Sequence, residues 1–152
     1  MIHMCRVAVF AAFALPITVF DLREMRIPDA LSLGGTALAA ILSMLRPGFS
    51  TRELALEVLV SFGVFWALSV ATGGKLGLGD AKYSLFIAVS LGTYGWLTTI
   101  AVAAVTGLAA ALVLVARDRA ALDTRIPFAP FLTLGAVVTL AMQGLLPAGL
   151  PT

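Results

Sequence analysis

The sequence predicts an all-α, polytopic membrane protein: one bundle of about six transmembrane helices occupying residues 1–152. Three observations predict it. The chain is 61% hydrophobic and 12% charged, with a mean hydropathy of +1.05; a soluble domain of this size carries about twice that charge. Apolar windows long enough to cross a bilayer recur along the chain. The charges gather in the short segments between those windows. The length of 152 residues leaves room for one compact bundle and no second domain of ordinary size.

The first window, 2–20, carries Arg6 ahead of the apolar run from Val7 to Phe20. No small-x-small cleavage site follows it, and basic Arg23 and Arg26 come after it, so it reads as a retained helix rather than a signal peptide. Pro16 predicts a kink within it. The second window, 30–45, follows Pro28 and Asp29. Proline suits the first turn of a helix and an acidic side chain suits its dipole. The third, 54–72, has Glu53 and Glu57 four apart at its start, a solvated face. From Tyr83 to Ala116 there is no charge at all. As one helix that stretch would be about 51 Å long, against a hydrocarbon core of about 30 Å. The turn-like cluster Gly92-Thr93-Tyr94-Gly95 divides it into helices over 81–91 and 96–116. The last window is 126–146. Pro127 and Pro130 there either break the helix and leave backbone groups free, or mark its start.

An even number of spans puts both termini on one side. The loops at 21–29, 73–82 and 117–125 lie on the other. They hold Arg23, Arg26, Lys75, Lys82, Arg117, Arg119 and Arg125, most of the chain's ten basic residues, against Arg6, Arg46 and Arg52 opposite. Basic residues concentrate in cytoplasmic loops. Both termini are therefore expected outside the cytoplasm, with Asp21 and Asp80 together at the cytoplasmic face.

Those two aspartates are the candidate chemistry. Ionisable groups in or beside lipid are costly and mark function by default. Asp21 ends the first apolar run; Asp80 lies in Gly77-Leu78-Gly79-Asp80-Ala81-Lys82. The apolar length after Lys82 is too short to span alone, so the span either recruits the residues around Asp80, drawing it slightly into the membrane, or thins the membrane locally. Irregular backbone at that depth needs protein or water beside it, and a small wet cavity near Asp80 is expected. Two carboxyls in such a place could share one proton and activate a water. The plainer alternatives are that Asp80 caps a helix and that Asp21 is an interfacial residue neutralised by Arg23 or Arg26. Lys82, two residues from Asp80, points to nearly the opposite face and reads as an anchor at the cytoplasmic interface. The single cysteine, Cys5, and single histidine, His3, exclude an internal disulfide, a Cys-x-x-Cys zinc site and a histidine-built metal centre. The net charge of +2 speaks to topology and not to nucleic acid.

Asp21-Leu22-Arg23-Glu24-Met25-Arg26-Ile27-Pro28-Asp29, then Gly77-Leu78-Gly79-Asp80-Ala81-Lys82, then Ile126-Pro127-Phe128-Ala129-Pro130 together resemble the motifs of the type IV prepilin leader peptidases, membrane aspartic proteases of the GxGD class. The resemblance covers the whole chain and is similar to the short, peptidase-only members that serve Flp-type pili. It implies Asp21 and Asp80 as the catalytic pair. Gly77, Gly79, Lys82, Pro28, Asp29, Pro127, Phe128 and Pro130 match the supporting motif positions. It further implies a pilin-like precursor as substrate, cut at the cytoplasmic face of a bacterial inner membrane, with no metal or organic cofactor. The chain has neither the zinc-binding insertion nor the methyltransferase segment of the larger members, so N-methylation is not expected. Two other readings stay open on the residues alone. A small proton- or ion-coupled transporter also uses intramembrane acids, although it places them near the midplane, often with an internal repeat. A non-catalytic pilus or secretion assembly protein would tolerate amides at both aspartates.

Overall fold

The computed structural model describes residues 2–45, 48–74, 77–117 and 126–145. Arg46, Lys75, Arg119 and Arg125, which enter the charge count above, lie outside the described residues, as does most of the loop expected at 117–125. Among the described residues every regular element is helical. The elements are α1 (Ile2–Glu24), α2 (Asp29–Met44), α3 (Thr51–Ala71), α4 (Leu78–Ala116) and α5 (Ala129–Leu145). α1, α3 and α4 are long and apolar enough to cross a membrane; α2 and α5 are shorter apolar helices. Helix α1 runs through Pro16 without interruption.

α4 is assigned as one helix of 39 residues, but Gly92 inside it has φ 79° and ψ 170°. That conformation is open to glycine and essentially closed to other residues. It reverses the chain. Trp96 Nε1 donates to Ser84 Oγ at 2.7 Å, whereas residues that far apart on a straight helix stand about 18 Å apart. The two halves, 78–91 and 93–116, therefore fold against each other as a hairpin, with the break one residue wide and at the start of the expected cluster. Arg6 of α1 donates to the carbonyl of Ser90 beside this bend.

The first half of α4 is the centre of the molecule. It meets α1 through Phe10 and Phe13, α2 through Gly35 and Ser43, and α5 through Thr133, and Tyr83, Phe86, Ile87, Ala88 and Val89 are all buried. Phe86 stacks on Phe10 at 5.4 Å and meets Phe13 edge-on at 6.0 Å. A Cβ on Gly35 would come within 3.0 Å of the Phe86 ring and 3.1 Å of Phe13, so α2 approaches this aromatic cluster through a residue with no side chain. The second half lies antiparallel to α5. Gly95 meets Gln143, Thr99 meets Thr139, and Gly107 meets Phe128. Leu59, Val105, Leu108 and Leu112 face outwards. Large apolar side chains on the outside and small or hydroxyl residues between helices are what a lipid solvent favours.

Candidate active site

One end of the bundle gathers the end of α1 and the starts of α2, α4 and α5. On α1, Phe10, Ala14, Ile17 and Asp21 are all buried, Asp21 with 6% of its surface exposed. Their spacing is that of one helix face, so Asp21 continues the apolar stripe into the core. Its Oδ2 accepts the backbone N–H of Ala129 at 2.9 Å. That amide is in the first turn of α5 and has no acceptor within its own helix. Pro127 and Pro130 carry no N–H at all. From Pro127 to Pro130 only Phe128 and Ala129 have an N–H, and both amides interact with Asp21, while Phe131 and Leu132 donate to the Phe128 carbonyl. The Pro-Phe-Ala-Pro segment is thus a helix start, as one of the two sequence readings had it. Its free donors go to an aspartate of another helix.

α1 stops at a left-handed residue, Met25, with φ 50°, whose amide donates to the Asp21 carbonyl at 2.9 Å. A side chain in that conformation costs about 1–2 kcal/mol. The turn sends Arg26, Ile27 and Pro28 across the front of α4. Pro28 is the residue before α2 rather than within its first turn; Asp29 opens that helix.

Asp80 sits in the first turn of α4. Its amide donates to the Gly77 carbonyl at 3.1 Å, and its carboxylate takes a hydrogen bond from the Gly77 amide. This is a reciprocal cap in which an acidic side chain reaches back to the helix start. The capping reading of Asp80 given above thus has a structural basis, and the same side chain lines a cavity. Gly79 allows the helix start to come close to the α1–α2 connection, since a Cβ there would stand 3.1 Å from the Ile27 Cβ. At Gly77 a Cβ would meet nothing closer than Asp80 Oδ2 at 3.6 Å.

Both aspartates line the same cavity, of about 340 Å³, walled by Met25 to Ile27, Asp29, Gly77 and Gly79. They are near enough for the charge of Asp21 to act on Asp80. Pro28, Lys82, Pro127, Phe128 and Pro130 stand outside the lining. Lys82 is paired: its Nζ lies 2.6 Å from Asp29 Oδ1 and ties α4 to α2 at the cavity mouth. This partner is compatible with the anchor reading of Lys82, and spacing along one helix could not reveal it because Asp29 comes from another. Sequence reasoning also passed over Met25 and Ile27 as cavity walls, and over Thr18, Tyr83 and Thr133, described below. A signal existed for Thr18 and Tyr83: each lies one helical turn from an aspartate, on the same face.

The sequence profile of the type IV leader peptidase family matches residues 8–112, a stretch that holds both aspartates and both glycines. The chain belongs to the type IV leader peptidase family. It is similar to a prepilin leader peptidase/N-methyltransferase of Pectobacterium carotovorum subsp. carotovorum, with 27% identity over 143 residues, covering 90% of this chain and 50% of that protein. The chain thus spans about half the length of that relative. No solved structure matches it significantly. The family match stops inside α4, so the α5 amides that reach Asp21 lie beyond it.

Proposed function

We propose that this chain is a membrane aspartic endopeptidase that removes the leader of type IV pilin-like precursors, of the Flp type, at the cytoplasmic face. Asp21 and Asp80 act as its catalytic pair. One observation carries the reading: carboxyls at the end of α1 and the start of α4, 59 positions apart in sequence, line one cavity in a chain of the leader peptidase family. An apolar precursor helix lying in the bilayer beside the bundle would bring its leader junction to the depth of that cavity.

The chemistry balances with one proton on the pair, because close carboxyls do not both ionise cheaply. The ionised carboxylate takes a proton from water as the water oxygen bonds to the scissile carbonyl carbon. The protonated carboxyl gives its proton to the carbonyl oxygen, leaving a tetrahedral diol. Collapse of the diol breaks the C–N bond. The amine leaves with a proton from one carboxyl, and the other recovers a proton from the diol hydroxyl. The α5 amides hold Asp21 in place throughout, and the Gly77 amide holds Asp80.

The test is co-expression with a pilin-like precursor from the same genome, with the precursor followed by gel mobility. Asp21→Asn and Asp80→Asn are each expected to abolish cleavage at unchanged membrane abundance. Cleavage retained by either amide variant would end the dyad reading and favour the transporter or the assembly role.

A further inference from the structure

One helical turn into the bundle from the two aspartates, three hydroxyls from three helices meet. Thr18 lies three residues before Asp21 on α1. Tyr83 lies three residues after Asp80 on α4. Thr133 lies four residues after Ala129, whose amide holds Asp21, on α5. Thr133 Oγ1 stands 2.6 Å from Thr18 Oγ1 and 2.6 Å from the Tyr83 hydroxyl. It is also 3.0 Å from the Ala129 carbonyl, and Thr18 Oγ1 is 2.8 Å from the Ala14 carbonyl. Tyr83 is wholly buried, and none of the three lines the cavity.

Counting protons shows how the cluster works. Each hydroxyl has one to give. Tyr83 gives its proton to Thr133, the closer of the two threonine hydroxyls it interacts with. Thr133 then gives its own either to the Ala129 carbonyl, accepting from Thr18, or to Thr18, which passes its proton to Ala14. Both arrangements leave Thr133 as the hub. Among helices in lipid, apolar packing distinguishes poorly between neighbouring rotations and heights, whereas directional hydrogen bonds do so. The hub fixes α1, α4 and α5 relative to each other one turn from where each helix places its part of the site.

We propose that the Thr18–Thr133–Tyr83 hydroxyl cluster is the positioning element that sets the separation and orientation of the Asp21 and Asp80 carboxyls. This rests on the dyad reading above. The cluster touches no substrate, so its loss acts on turnover through geometry and leaves substrate binding nearly unchanged. The molecule contains its own control. Thr99 and Thr139 form a second buried hydroxyl contact between α4 and α5, at 3.1 Å, in a part of the bundle remote from the cavity.

The experiment uses the purified full chain in proteoliposomes with a synthetic pilin-like precursor, measuring kcat, KM and the thermal unfolding midpoint. Thr133→Val is expected to lower kcat by about tenfold to a hundredfold with KM within about twofold, since misplacement on the ångström scale costs that much. Thr133→Ser, which keeps the hydroxyl, is expected to stay within about threefold of wild type in kcat. Thr139→Val is expected to lower the midpoint comparably while leaving kcat within about twofold. If Thr133→Val fails to fold, Tyr83→Phe, which leaves Thr18 and Thr133 paired, carries the comparison and is expected to lower kcat about tenfold. Equal kcat losses in Thr133→Val and Thr139→Val, or a change confined to KM, would overturn the proposal. Asp80→Asn runs alongside: full activity in that variant would mean the dyad reading itself has failed, an outcome separate from a positioning failure.

Discussion

At the scale of single residues, two glycines in one motif do different work. Gly77 precedes the helix with ordinary backbone angles, φ −68° and ψ 141°, and a methyl group there would make only ordinary contact, with Asp80 Oδ2 at 3.6 Å. Gly79 faces Ile27, whose Cβ would stand 3.1 Å from a methyl group there, so the two segments would have to part slightly. Gly79→Ala is expected to push the start of α4 away from the α1–α2 connection by a few tenths of an ångström and reduce precursor cleavage about tenfold. Gly77→Ala should stay within about threefold, its cost being the weaker capping of alanine. Trimming Ile27 to alanine should not rescue Gly79→Ala, because the closest approach is to the Ile27 Cβ, which alanine keeps. Cleavage of one precursor by the variants at matched membrane abundance checks all of this; equal losses at the two glycines would contradict the steric account. The sequence showed both glycines beside Asp80 but not this difference, which depends on where Ile27 comes to rest.

At the scale of elements, most of the helices were legible because apolar length and charged or glycine-rich breaks fix where a membrane helix can run. The expected windows at 2–20, 30–45 and 54–72 correspond to α1, α2 and α3, each shifted by a few residues because the polar first and last turns belong to the helices. The last window begins three residues early for a physical reason: Ile126, Pro127 and Phe128 lie outside the helix and lead into the amides, of Phe128 and Ala129, that Asp21 accepts. The division of the long apolar stretch was also legible, since glycine was needed there. Gly92→Ala would put a side chain into a backbone region essentially reserved for glycine, at a cost of about 1–3 kcal/mol. It is expected to lower the unfolding midpoint in detergent and to weaken the Trp96–Ser84 contact across the bend, visible as a change in tryptophan emission. Gly63, with nothing within 4 Å of a Cβ, is the control. Gly63→Ala should leave the midpoint unchanged or raise it, as alanine is up to about 1 kcal/mol better in a helix. A Gly92→Ala variant as stable as Gly63→Ala would mean the bend does not depend on glycine. Partnerships between elements, such as Lys82 with Asp29 or Asp21 with the start of α5, were hidden because each is decided by packing of segments distant in sequence.

At the scale of the whole molecule, the helices alternate in direction, and the hairpin within α4 keeps the alternation intact. The end of α1 and the starts of α2, α4 and α5 share one end; the start of α1, near Arg6, and the bend at Gly92 share the other. The excess of basic residues in the loops at the first end predicts that this end, with its cavity, faces the cytoplasm. Site-directed thiol labelling can decide it. The single native cysteine, Cys5, is exposed near the far end. In intact cells a membrane-impermeant maleimide is expected to label native Cys5. In a Cys5→Ser background it should label Thr51→Cys, at the start of α3, in the same way. Glu24→Cys, at the end of α1, should label only in inside-out vesicles. The reverse pattern would turn the protein over and place the cavity outside, where a precursor leader still in the cytoplasm could not reach it. Labelling of Glu24→Cys and Thr51→Cys from the same side would deny that α2 crosses the bilayer. α2 has only 16 residues, about 24 Å of helix, so a crossing there requires either thinned lipid or help from the polar turns at its ends.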